Sequence, residues 1–280
     1  MSFGSHRDVT ASGVRLRVAE YGEGPAVLCV HGLFFDHTTW SGIAQALGDQ
    51  FQVVALDLPG FGESEKPSPT RFPYGVDSFT EAVADLYAGL DLGRAAVVGH
   101  GVGGAVALTL AARHPELVSQ LILVDALCYE TSRGLERQLA LVPFLGSFVF
   151  RQLWGRTAFR AFFRERLLSP GATVSTERID YFYDLFNTPA ARGSALATLR
   201  ATTDSRSVVA QTGRITTPTL VVWGRSDKVF PAGFGQRLAR EIHGCGFQLL
   251  DTGHSPQEER PDELARVIRR FLQDERPSLV

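Results

Sequence analysis

The 280-residue chain has only three cysteines, Cys29, Cys128 and Cys245, and no C-x-x-C pair. An odd, widely spaced set gives no disulfide framework and no thiolate zinc site. It fits a reducing compartment, so a cytoplasmic location is expected. An excess of charge of one sign is also missing. The 28 basic side chains face 30 acidic ones, and a net charge of −2 offers no basis for nucleic-acid binding. Lysine is nearly absent, with Lys66 and Lys228 alone, which reads as coding bias rather than function. Long apolar runs are lacking. The longest mainly apolar stretch, Ala140 to Phe150, carries Pro143, Gly146 and Ser147 and is too short to span a bilayer. Met1 to Thr10 has no apolar centre and predicts no signal peptide. Repeats, low-complexity tracts, metal-ligand spacings and phosphate loops do not occur, so neither a metal nor a cofactor is expected.

What is present is a rhythm of short apolar runs and longer stretches with helical spacing. Val14 to Ala19 alternates as a half-exposed strand does, and Tyr21-Gly22-Glu23-Gly24-Pro25 is a turn. Ala26 to Val30 reads as a buried strand ending in His31-Gly32-Leu33-Phe34. A helix is expected around Ile43 to Leu47. Phe51 to Leu56 is the next strand, ending in Asp57-Leu58-Pro59-Gly60-Phe61-Gly62-Glu63-Ser64. Ser78-x-x-Glu81 reads as a capping box opening an amphipathic helix with Val83, Leu86, Tyr87 and Leu90 on one face. Apolar runs at Ala95 to Val98 and Leu121 to Val124 flank a helix-forming run, Ala105 to Arg113.

From about Cys128 to Thr212 no strand pattern appears. Phe144, Phe148, Phe159, Phe162, Phe163, Tyr181, Phe182, Tyr183 and Phe186 recur there among arginines at helical spacings. The rhythm resumes with Thr219 to Trp223, ending in Gly224-Arg225-Ser226-Asp227. A helix near Gly235 to Ile242 follows, then Phe247 to Leu250, ending in Asp251-Thr252-Gly253-His254. Pro261 suits the first turn of a last helix, with Leu264, Val267, Ile268, Phe271 and Leu272 as its apolar stripe. Such alternation implies a mostly parallel sheet covered on both faces, the α/β class, with its chemistry at the carboxyl ends of the strands.

At one of those ends stands Val97-Val98-Gly99-His100-Gly101-Val102-Gly103-Gly104. A strand, a sharp glycine turn and a helix are the setting of a nucleophile elbow, G-x-S-x-G. Here the pattern reads Gly99-x-Gly101-x-Gly103, so the nucleophile position is held by a residue with no side chain. Gly99, Gly101 and Gly104 also spell the dinucleotide fingerprint G-x-G-x-x-G, with Asp125 lying 21 residues past Gly104. Position argues against that reading, since three or four strands come before the motif.

Over nearly its full length the chain resembles the α/β-hydrolases that carry a helical cap. Four motifs carry the likeness: His31-Gly32-Leu33-Phe34, the run from Asp57 to Ser64, the elbow, and Gly224-x-x-Asp227 followed by Gly253-His254. The resemblance implies an eight-stranded, mostly parallel sheet. It divides the chain into a core of residues 1–127 and 213–280 and an inserted helical cap of residues 128–212. The family order of nucleophile, acid and histidine falls on Gly101, Asp227 and His254, with the first position vacant. By resemblance His254 is the general base and Asp227 holds its imidazole. Backbone N–H groups of Leu33 and Val102 form the oxyanion hole, which survives the loss of a serine. Asp125 is the rival for the acid. Asp57 is expected to fix the turn around Gly60 and Gly62. His100, His37 and His114 read as packing or solvent residues, and His243 as a helix end.

Phe34, Phe35, Trp40 and Phe230 are candidate substrate contacts and suggest an apolar or aromatic small molecule. Family members with an aspartate nucleophile usually place Trp next; Val102 stands here, which favours a serine parent. Three readings of Gly101 stay open. The first is a hydrolase of esters or C–C bonds, either disarmed or driven by a water that His254 activates. The second is a lyase or cyclase using His254 as base, and the third a ligand-binding protein without catalysis. A small-molecule substrate and a monomer or homodimer are expected.

Overall fold

The computed structural model describes residues 3–129 and 155–273. Strands β1 (Ser5–Ala11), β2 (Val14–Tyr21), β3 (Ala26–Val30), β4 (Gln52–Leu56), β5 (Ala95–His100), β6 (Val118–Val124), β7 (Thr219–Gly224) and β8 (Gly246–Leu250) form one sheet. Its order is β1-β2-β4-β3-β5-β6-β7-β8. The first two pairings, β1 with β2 and β2 with β4, are antiparallel, and the remaining neighbours are parallel. All residues of β5 and β7 are buried. Their continuous apolar runs, Ala95-Ala96-Val97-Val98 and Leu220-Val221-Val222-Trp223, are what a strand covered on both faces requires.

The longer helices among the described residues are α1 (Ser41–Leu47), α2 (Val76–Leu90), α3 (Val102–Arg113), α4 (Arg156–Phe162), α5 (Thr176–Phe186), α6 (Pro189–Ala201), α7 (Ala232–Glu241) and α8 (Pro261–Gln273). One face of the sheet is covered by α1 and α8 through Ile43, Leu47, Leu264, Ile268 and Phe271. The other is covered by α2, α3 and α7 through Val83, Leu86, Val106, Leu110 and Leu238. That second cluster continues without a break into Phe159, Phe163 and Phe182 of the segment between β6 and β7. The described part of this segment is helical and holds no strand. Phe144, Phe148 and the apolar stretch from Ala140 lie outside the described residues. Among the described residues no helix is long and apolar enough to cross a membrane.

Two local expectations differ from the structure. Strand β1 gives no apolar signal because it is an edge strand, exposed over most of its length and held by backbone pairing to β2. Helix α2 begins at Val76 with Gly75 at its N-cap and no side-chain cap, so Ser78-x-x-Glu81 is not a capping box. Burial of Val76 and Phe79 anchors that first turn instead.

The helical insert is tied to the core by polar contacts as well as by its phenylalanines. Arg178 of α5 forks onto Glu258, with Nη2 to Oε1 at 2.8 Å and Nε to Oε2 at 3.0 Å, and its Nη1 donates to Thr38 Oγ1 at 3.0 Å. Tyr181 donates its O–H to Asp36 Oδ2 at 2.6 Å. Lys228 donates to the carbonyl of Glu165 at 3.0 Å.

Asp36 is fully buried. Burial first, and then the Asp57 charge, push its carboxyl up to about 6 against the opposing pull of His37, Thr38 and Tyr181. A carboxyl raised in the folded state stabilises fully below its unfolded value of about 4, and that stability is lost as pH rises through about 6. Asp36→Asn removes the titration. Relative to the parent, the variant therefore gains on the order of 2–3 kcal/mol between pH about 4 and about 7. Parallel urea titrations across that range check it; a constant offset between the two proteins contradicts it.

Candidate active site

Strand β5 passes into α3 through Gly101 alone, and Gly101 sits at φ 55° and ψ −118°. That left-handed conformation suits glycine and strains other residues. The neighbouring glycines answer to crowding. A Cβ on Gly99 would lie 2.3 Å from the Gly103 carbonyl, one on Gly103 2.4 Å from the Val30 carbonyl, and one on Gly104 2.5 Å from the Ala126 Cβ. These glycines let β3, β6 and α3 meet, so their spacing needs no bound pyrophosphate. A Cβ at Gly101 meets no such obstacle. Its nearest neighbours would be Gly32 Cα and His254 Nε2, both at 3.6 Å, an ordinary van der Waals contact.

His254 and Asp227 come from the loops after β8 and β7, and the structure brings them together. His254 Nδ1–H donates to Asp227 Oδ2 at 2.8 Å. The other oxygen, Oδ1, accepts the backbone N–H groups of Val229 at 2.7 Å and Phe230 at 2.9 Å. With Nδ1 carrying the proton toward the carboxylate, Nε2 is left as the basic atom, and it faces position 101. Val102 follows Gly101 directly, and Leu33 follows Gly32, whose Cα would lie 3.6 Å from a Cβ on Gly101. Among the described residues neither backbone N–H group donates to a protein acceptor. That of Val102 opens the 12-residue helix α3, where the helix dipole favours negative charge.

Asp125 is not the direct partner of His254 Nδ1. Its Oδ1 accepts the N–H of Gly224 at 2.8 Å, which joins β6 to β7 at their carboxyl ends. Asp57 accepts the N–H and Nδ1–H of His37, at 2.6 and 2.8 Å, and the N–H of Glu63 at 2.7 Å. A Cβ on Gly62 would strike its carboxylate, so Asp57 does fill the turn as its sequence context implies. Burial alone would raise the Asp57 carboxyl; the hydrogen bond and charge of His37 outweigh it and hold the carboxyl below its ordinary range. His114 lies near Glu81 and Glu116, and His243 is exposed just past the end of α7.

His100 does more than pack. Its Nε2–H donates to the His254 carbonyl at 2.7 Å, and Gln257 donates to its Nδ1 at 3.3 Å. Burial, and then the neighbouring His254, hold its pKa well below the ordinary histidine value, so it stays neutral and fixes the backbone of His254. His31 is buried in the same way, which lowers its pKa. It donates from Nδ1 to the Gly32 carbonyl at 2.8 Å and accepts the Leu58 N–H at Nε2 at 3.0 Å, setting the turn that presents Leu33. The sequence signal for both was only their place at strand ends.

Of the four aromatic candidates, Phe230 alone touches the His254–Asp227 pair. Its ring meets that of His254 edge-on at 5.2 Å. Phe34, at φ 71°, packs against Phe159, Phe162 and Phe186 of the insert. Phe35 packs against His100, Phe163 and Phe182. Both also border a cavity of about 20 Å³ beneath α5 and α6. Trp40 is corrected. It is fully buried in the cluster on the opposite face of the sheet, together with Ile43, Leu47 and Leu264 and away from Gly101 and His254. A wider cleft of about 530 Å³, between Pro69–Tyr74 and α6, contains none of these residues.

Two clusters among the described residues hold three possible metal ligands each, Asp36–His37–Asp57 and Asp125–Asp227–His254. In both, the histidine Nδ1 is already committed to an aspartate.

Known proteins resemble the chain along almost its whole length. An uncharacterized protein of Mycobacterium tuberculosis is 29% identical, over 96% of this chain and 81% of its own. A 2-hydroxymuconate semialdehyde hydrolase of Pseudomonas sp. is 27% identical, over 95% of this chain and 93% of its own. A solved thermophilic esterase from Thermogutta terrifontis superposes with a TM-score of 0.79 at 25% identity, covering 96% of this chain and 98% of that one. The family model described as alpha/beta hydrolase fold matches residues 25–261, and the chain belongs to that family and to its hydrolases.

Proposed function

We propose that the protein is a capped hydrolase of small apolar or aromatic esters or C–C substrates, in which water replaces the missing side-chain nucleophile. The helical insert is the cap. His254 is the general base, Asp227 orients it, and the N–H groups of Leu33 and Val102 receive the oxyanion. The observation that carries this reading is the placement of His254 Nε2 3.6 Å from where a Cβ on Gly101 would stand, with its Nδ1 bonded to Asp227. A hydroxymethyl group fills about the volume of one water, so a water seated there is within reach of Nε2. For an ester, His254 takes a proton from that water as its oxygen bonds to the carbonyl carbon. The carbonyl electrons move onto oxygen between the two N–H groups. Collapse breaks the bond to the alkoxy oxygen, which leaves with the proton from His254. No acyl-enzyme forms, because Gly101 offers no atom to acylate. The substrate class draws on the hydrolase and esterase relatives and on Phe230 beside His254.

The alternative histories of Gly101 separate in one assay. The protein, Gly101→Ser and His254→Ala are compared on chromogenic esters of increasing acyl length. Slow turnover by the parent, abolished in His254→Ala, supports the water mechanism. Gly101→Ser is expected to raise turnover by on the order of 10³-fold or more and to show a burst, as a restored nucleophile does. A parent that is silent beside an active Gly101→Ser would make the native chain a binder or a disarmed hydrolase. Silence of both would move the chemistry to non-hydrolytic use of His254.

The restored side chain carries a conformational cost. A Cβ at Gly101 meets no clash, but φ 55° strains a non-glycine residue. Gly101→Ser and Gly101→Ala are therefore each expected to lose about 1–3 kcal/mol of stability. Equal losses in the two variants by denaturant unfolding would assign the cost to the backbone. A far larger loss in Gly101→Ser alone would contradict the open space beside His254.

A further inference from the structure

Behind the His254–Asp227 pair lies a second carboxyl that the mechanism does not use. Asp125 is completely buried at the end of β6 and holds a left-handed backbone, φ 44°. Its Oδ1 accepts the Gly224 N–H, but its Oδ2, also buried, has no hydrogen-bond donor. The Asp125 carboxyl, the Asp227 carboxyl and a ring nitrogen of His254 lie within 4.8 Å of one another. Asp227 cannot supply the missing donor. Its Oδ1 is occupied by the Val229 and Phe230 N–H groups and its Oδ2 by His254. Two ionised carboxylates this close in a buried site repel each other, and an unpartnered buried carboxylate oxygen adds a desolvation cost. A single proton between them removes both penalties.

We propose that Asp125 is a positioning residue that stands as a neutral carboxylic acid and donates its O–H to the carboxylate of Asp227. Asp227 then receives hydrogen bonds from every side and keeps the negative charge that orients His254. The donation also ties the end of β6, through Gly224, to the loop that carries Asp227. The charged and titratable groups around Asp125 agree with this state. Burial raises its pKa well above the carboxylate range, and Asp227 and Glu259 push it further in the same direction against the Gly224 hydrogen bond. The inference rests on Asp227 as the partner of His254. Its test reads a proton rather than turnover, so it and the hydrolase reading can fail separately.

Asp125→Asn is the matched variant. The amide oxygen still accepts from Gly224, its NH₂ can donate to Asp227, and asparagine tolerates a left-handed backbone. Infrared difference spectra of parent and variant are recorded at mildly alkaline pH, in H₂O and D₂O. A neutral carboxylic acid shows a C=O stretch that carboxylates lack. Asp36 is ionised there, since its carboxyl titrates at about 6. The expected result is one such band in the parent, shifted in D₂O and lost in Asp125→Asn. The downfield proton signal of His254 Nδ1–H persists in Asp125→Asn and broadens or disappears in Asp125→Ala. Absence of the band from the parent overturns the proposal, as does its survival in folded Asp125→Asn. Failure of Asp125→Asn to fold counts against it too, because the amide supplies the same donor. The parent spectrum with isotope-labelled aspartate decides independently of any variant.

Discussion

The hydrogen bond from His254 to Asp227 depends on two loops that leave neighbouring strands at the same level. Strands β7 and β8 are parallel and in register up to the pair Gly224–Leu250. Past that point the loops press together so closely that a Cβ on Gly224 would lie 1.9 Å from the Gly253 carbonyl. Any side chain there would force the loops of Asp227 and His254 apart. The carboxyl end of the sheet therefore acts as a jig. Gly99, Gly103 and Gly104 admit the third element, α3, by the same close approach. Burial of nearly continuous aliphatic strands fixes the jig on which the polar site is built.

The helical insert is coupled to that frame at the loop that matters. Glu259 accepts the N–H of Gly253, next to His254, at 2.7 Å, and the N–H of Ser169 in the insert at 3.0 Å. A Cβ on Gly253 would strike the backbone of Leu168 and Ser169. Arg178 reaches Glu258 in the following residues. Carboxylates of one short helical turn, Pro256–Glu259, thus join the insert to the loop that carries His254.

Much of this was legible in the sequence. Buried strands announce themselves as runs of Val, Leu and Ala, so β3 to β7 and the motifs at their ends could be read directly. The pairing of Asp227 with His254 was implied by the family resemblance, with Asp125 as the rival, and the structure brings the two together. What escaped was set by tertiary context. Edge strand β1 is paired through its backbone and carries no apolar period. Trp40 looked like a pocket aromatic, but it stands immediately before α1 and packs with that helix on the other face of the sheet. His100 and His31 gained structural roles only because burial keeps them neutral, which no spacing can reveal. The second carboxyl, Asp125, was seen only as a rival acid. Its relation to Asp227 appears when β6 and β7 are set side by side.

The central claim is that position 101 lies at the focus of a working base and oxyanion hole and lacks only a side-chain atom. The most direct measurement is the intact mass of Gly101→Ser after exposure to an activated phosphonate, with the parent and Gly101→Ser/His254→Ala treated alike. The account predicts a single stoichiometric adduct on Gly101→Ser and none on the other two. A folded Gly101→Ser that stays unmodified, or a parent modified to the same extent, would contradict it.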